Sequence, residues 1–216
     1  MFLGIFVAAI YVGCTYLRQV PRWAVAMQRI SGSFLLFRLL IEFSLSRQPF
    51  TFLFSAEIII ECLTVVSLLF VHRKLWLHFG FLQVLKVVTL WTRLDAGGKV
   101  LPKYSMLARF WVKLGIQVIG FVYIVTSGLQ LFELIGDPTS AIEKSRFELN
   151  WINSLYFTVV TVTTVGFGDF VPVTFLGRLA IVFVIIFGVF LVSRGVTHAV
   201  DVTANLRSGT GSYTYK

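Results

Sequence analysis

The sequence predicts an all-α membrane protein with six transmembrane helices and a re-entrant half-helix between the fifth and the sixth. Three observations lead there. The 216 residues are 57% hydrophobic and only 13% charged, with a mean hydropathy of +0.85. Soluble domains carry about 25% charged residues, so this much apolar surface needs a bilayer. Apolar runs of near-spanning length then recur along the chain, at about 20 residues per crossing. Finally, residues 150–163 are amphipathic, too short to cross, and run directly into a glycine-containing loop.

The candidate spans lie near 1–19, 31–46, 52–71, 75–93, 105–133 and 176–201. The first lacks a basic start and a small-residue cleavage site, so it reads as a membrane helix and not a signal peptide. The second is short and carries Arg38 and Glu42, which must face protein or water. Pro49 separates the second from the third, and His72, Arg73 and Lys74 separate the third from the fourth. Asp95, Gly97, Gly98 and Pro102 break the chain before the fifth, and Gly136, Asp137 and Pro138 end it. The expected division is 1–93 as a helical domain of four spans, 94–104 as a linker, 105–203 as a pore domain and 204–216 as the start of a cytosolic linker.

Composition also excludes functions. The net charge is +9, but the basic residues are scattered singly among apolar ones, unlike a nucleic-acid footprint. In a membrane chain such charge reports basic loops and contact with anionic lipid. Cys14 and Cys62 both sit in apolar segments and read as packing residues. His72, His78 and His198 are dispersed, without nucleophile–base or metal-ligand spacing, so no enzyme, catalytic residue or organic cofactor is expected.

The loop after the half-helix reads Thr164-Val165-Gly166-Phe167-Gly168-Asp169. A ring of backbone carbonyls can replace the hydration shell of a potassium ion, as potassium channels do, when the backbone turns its oxygens inward. Gly166 and Gly168 reach the backbone angles this requires. The K+-coordinating set is then Thr164, Val165, Gly166, Phe167 and Gly168, with the Thr164 hydroxyl as a lower ligand and K+ as the permeant ion. Val165 and Phe167 brace the loop from behind, while Asp169 bonds Tyr156 on the half-helix and holds the top of the loop. Irregular backbone at membrane depth is tolerated only where it is buried in protein or lines water. The half-helix would also point its partially negative C-terminal end toward that space, favouring a cation.

With those residues placed, the chain resembles the tetrameric potassium channels. Within them it is most similar to the large-conductance calcium-activated, Slo-type family, membrane part only. The residues carrying the likeness are the loop, the stretch Asp169 to Arg178, Leu129 to Pro138 (LQLFELIGDP), Gly177-Arg178-Leu179 and the tail Gly209 to Tyr213. The resemblance implies a homotetramer with one loop per subunit. It also implies a gating hinge at Gly188 and an inner vestibule bearing His198 and Asp201. Phe167 stands where tyrosine is commoner, and Val171 where an aromatic confers external tetraethylammonium block, so weak block is expected. Slo-type channels have acidic residues at the positions aligned with His198 and Asp201. His198 departs from this and Arg194 adds a cation, which lowers the expected conductance.

Segment four offers Lys86 and Arg93 as candidate voltage-sensing charges, and Glu57 and Glu61 lie on one face of segment three. They are either countercharges for Lys86 and Arg93 or static partners of Arg38. One charge crossing 100 mV is worth about 2.3 kcal/mol, so two per subunit give shallow voltage dependence at most.

The expected function is passive potassium conduction, weakly voltage-dependent and gated by a cytosolic domain outside this chain. The alternative is a modulatory subunit that co-assembles with longer calcium-activated channel subunits. Expected partners are further copies of the chain and membrane lipid, with no nucleic acid. The plasma membrane is the expected site, an organellar membrane the alternative.

Overall fold

The computed structural model describes residues 2–16, 20–45, 54–70, 78–96, 106–136 and 150–207. These residues are helical apart from short connections. The elements are α1 (Phe2–Cys14), α2 (Arg22–Leu45), α3 (Ala56–Leu69), a 3-10 turn (Phe79–Leu82) leading into α4 (Gln83–Ala96), α5 (Met106–Gly136), α6 (Trp151–Val162) and α7 (Phe175–Arg207).

Three helical stretches are long and apolar enough to cross a membrane: Arg22–Leu45, Ala108–Glu133 and Phe175–Asp201. α1 has 13 residues and α6 has 12, and α3 and α4 have 14 each. Length and composition therefore support three of the six expected spans among the described residues. The tail Gly209 to Tyr213, Gly97, Gly98 and Pro102 of the linker, and the breaks at Pro49, His72 to Lys74 and Asp137-Pro138 lie outside the described residues.

The second segment departs from expectation. It is not the short run 31–46 but a helix of 24 residues that starts at Arg22. The Pro21 carbonyl accepts hydrogen bonds from the Ala24 and Val25 amides at 3.1 and 3.3 Å, and proline loses nothing at a helix start, where its missing N–H is not needed. Apolar runs hide this helix because it is polar inside. Gln28, Ser31 and Gly32 are buried, whereas Trp23, Ile30, Phe34 and Phe37 are exposed. Small and polar residues toward protein, with large apolar ones outward, suit a helix surrounded by lipid.

α5 is the spine. α4, α6 and α7 all pack on it, while α2 packs on α3 and α1 on α4 and α2. Two tyrosines lace α1 to α5 in opposite senses. Tyr11 donates its hydroxyl hydrogen bond to the Ser127 carbonyl at 3.2 Å, and Tyr123 donates to the Ala8 carbonyl at 3.1 Å. α4 meets α5 closely at Gly120, where a Cβ would stand 2.7 Å from Val88. At the adjoining helix ends, Arg109 donates to the Asp95 side chain at 3.0 and 3.2 Å and to the Asp95 carbonyl at 3.0 Å.

Candidate functional site

α6 places the loop. Its N-terminal end is tied to the rest of the chain: the Trp151 amide donates to Thr15 Oγ1 and the indole N–H to Ser127 Oγ, both at 3.4 Å. Ser154, Phe157 and Thr158 form its buried face, and Phe157 packs with Leu129, Phe170 and Ile181 from α5, the loop and α7.

At the other end the chain leaves the helix without losing its hydrogen bonds. The Thr164 amide donates to the Thr161 carbonyl at 3.0 Å, and the Val165 and Gly166 amides share the Val160 carbonyl at 3.1 and 3.2 Å. Beyond this, every second residue is left-handed: Thr164 at φ 62°, Gly166 at 57° and Gly168 at 76°. A Cβ on Gly166 or Gly168 would meet nothing within 4 Å, so backbone angle and not crowding calls for glycine there. Thr164 is the one non-glycine residue at positive φ among those described. For a β-branched side chain that conformation costs about 1–2 kcal/mol. Strain of this kind gathers where a backbone is held for use.

Within the single chain Val165 is 55% exposed and Phe167 68%. Tyr156 carries a side-chain hydrogen bond with Asp169, which together with desolvation and the carboxylate's charge holds the phenol above its ordinary pKa. The Tyr156 ring also stands edge-on to Phe170 at 5.9 Å.

The loop re-enters a helix through a carboxylate that sequence reading did not single out. Glu133 of α5 is only 6% exposed. It accepts the Val173 amide at 3.4 Å and the Thr174 amide at 3.3–3.4 Å, just before α7 begins. Thr174 caps α7 by accepting the Gly177 amide on Oγ1 at 3.0 Å. A helix start presents unpaired N–H groups and partial positive charge, which an anion satisfies. A Cβ at Gly177 would lie 1.8 Å from Glu133 Oε1, so this glycine makes room for the carboxylate. The available sequence signal was a carboxylate in an apolar span, a costly placement that demands partners.

α7 runs unbroken through Gly188, whose missing Cβ leaves ordinary contact, 3.6 Å, to Val162 at the end of α6. Asp201 is exposed on the same helix, and His198 lies one turn before it.

The charged residues of the first four helices gather elsewhere. Glu61 is fully buried and paired with Lys86. Arg38 stands 3.9 Å from its other oxygen, an ion pair but too long for a hydrogen bond, and bonds Glu42 at 2.8 Å. Glu57 pairs with Arg93 near the surface. Glu61 thus sits between the two partners considered for it, Lys86 and Arg38. A crevice of about 610 Å³ lies against Arg38, Glu42, Glu57, Lys86 and Arg93.

Comparison with known proteins fits this geometry. Residues 112–205 match the family described as ion channel. The chain is 26% identical over 145 residues, 65% of its length, to the calcium-activated potassium channel slo-1 of Caenorhabditis elegans. It is 28% identical over 142 residues, 64% of its length, to potassium channel subfamily U member 1 of Macaca fascicularis. Each match spans 12% of the relative's own length. The probable potassium channel protein 2 of Methanocaldococcus jannaschii is 48% identical over 44 residues, 20% of this chain and 13% of that protein. Residues 112–205 therefore resemble an ion channel domain, in a chain similar to Slo-type potassium channels.

Proposed function

We propose that this chain is the pore-forming subunit of a potassium-selective channel, with four copies around one axis and each contributing Thr164 to Gly168 as a strand of the filter. The observation that carries this is the alternation of left-handed φ at Thr164, Gly166 and Gly168. In an ordinary strand successive carbonyls point to opposite sides. Inverting every second residue brings them to one side, the arrangement that can replace an ion's hydration shell. α6 supports the reading as a half-helix of 12 residues that aims its C-terminal end at the loop. α7 supports it too, since Val182, Phe183, Ile186 and Phe187 are exposed in the single chain and need lipid or neighbouring copies.

The chain in this reading has six crossings, α6 is the re-entrant pore helix, and Asp169 with Tyr156 steadies the outer end of the filter. Gly188 is the hinge, and Asp201 lies toward the inner end of α7. Lys86 and Arg93 sense voltage weakly at most, because two charges per subunit couple only modestly to the field; each is paired with a carboxylate.

Reconstituting the chain and measuring the reversal potential in a potassium/sodium gradient tests the reading. The expected value is that of potassium, lost in Gly168→Ala. Equal permeability of the parent chain to both ions would overturn selectivity. Silence of the reconstituted chain would instead favour a modulatory subunit or a channel that needs a cytosolic domain.

A further inference from the structure

The groove between α5 and α7 has a volume of about 950 Å³, within the range of pockets that hold organic ligands. Its walls are mostly apolar, with Leu114, Phe121, Val162 and Val192 among them, and Lys113 and Arg194 line it together. The two cations stand at one level, since Leu114 Cδ1 lies 3.5 Å from where a Gly195 Cβ would be. Among the described residues neither has a carboxylate within ion-pair distance. The Arg194 guanidinium rests 5.5 Å from the centre of the Phe190 ring. Asp201 lines the same groove two turns further along α7, leaving the lining with two positive charges and one negative.

Both walls belong to helices long and apolar enough to cross a membrane. Arg194 lies roughly 28 Å along α7 from Phe175 at 1.5 Å per residue, which puts the cations near the bilayer face opposite the loop's side. Basic pockets between membrane helices recognise lipid phosphates. We propose that this groove binds an anionic phospholipid, its acyl chain along the apolar walls and its phosphate on Lys113 and Arg194. An apolar helix from a second copy fits less well, because it would bury both cations without a counter-charge. The inference needs α5 and α7 in a membrane and does not need the pore to conduct.

The test is lipid retention by the purified chain in mixed micelles of phosphatidylglycerol and phosphatidylcholine, read by mass spectrometry of the intact complex. Phosphatidylglycerol should be retained preferentially. At about fivefold per cation near a lipid surface, the double change Lys113→Gln and Arg194→Gln should reduce that preference roughly 25-fold. Lys113→Arg should keep it. Unchanged preference in the double variant overturns the proposal, as does a disulfide between copies through Val192→Cys, which would place a neighbouring helix in the groove. Potassium current measured on the same variants is a separate readout, so failure of lipid binding and failure of conduction are distinguishable.

Discussion

Replacing Glu133 by glutamine keeps the shape of the side chain and removes what holds the start of α7. The carboxylate accepts two backbone amides at 3.3–3.4 Å in a site with 6% exposure. Hydrogen bonds to a charged group contribute about 1.5–3 kcal/mol each, and these long ones fall at the low end. The amide retains one acceptor and turns an N–H donor toward the helix start, which also loses the charge–dipole attraction of about 0.3–2 kcal/mol. Glu133→Gln should therefore destabilise by about 2 kcal/mol, and Glu133→Ala by about 3–4 kcal/mol because both amides are then unpaired. Equilibrium unfolding in mixed micelles would measure both. Gly177→Ala completes a cycle: its Cβ would meet Glu133 Oε1 at 1.8 Å, so its cost should fall sharply in the Glu133→Ala background, with a coupling of about 0.5–3 kcal/mol. A glutamine variant within about 0.5 kcal/mol of the parent, or additivity in the cycle, would refute the carboxylate's role.

Lys86→Met should cost about 3–5 kcal/mol by leaving the buried Glu61 without its close partner, and Lys86→Met with Glu61→Gln should recover much of it. Arg93→Gln should cost under about 1 kcal/mol, since Arg93 and Glu57 are 68% and 49% exposed; the same unfolding assay reads both pairs. Gly188→Ala should leave stability unchanged or slightly raised, because the new methyl finds ordinary contact with Val162. If the hinge assignment holds, single-channel records of that variant will show altered opening. The Tyr156–Asp169 bond raises the phenol's pKa, so its contribution is full below the ordinary tyrosine value and is lost as pH rises through the raised one. Tyrosinate absorbance, taken as the difference between the parent and Tyr156→Phe, should shift toward the ordinary value in Asp169→Asn; no shift would count against the bond.

The parts legible in the sequence were those written locally. Glycines two apart at 166 and 168, and long apolar stretches at α5 and α7, mark their structure by spacing and length alone. α2 was harder, since its buried face carries Gln28, Ser31 and Gly32 while its large apolar residues face out. A search for apolar runs starts such a helix too late. Glu133, the crossed tyrosines Tyr11 and Tyr123, and the Asp95–Arg109 pair escaped notice for another reason. Each depends on a partner on another element, from 14 residues away for Asp95 and Arg109 to 116 for Tyr11 and Ser127, and no periodicity encodes such a meeting. Glu57, Glu61, Lys86 and Arg93 were visible as charges in apolar surroundings, but only the folded chain assigns each its partner.

The contacts between α4 and α5 act as a mechanical splice. Arg109 grips both the side chain and the carbonyl of Asp95 at one end, and Val88 seats against Gly120 further along. Two fastenings at separate heights resist sliding and rotation together. A tug on α4 thus reaches α5 through side-chain contacts as well as along the peptide connection, with residues 88, 95, 109 and 120 among those that carry it.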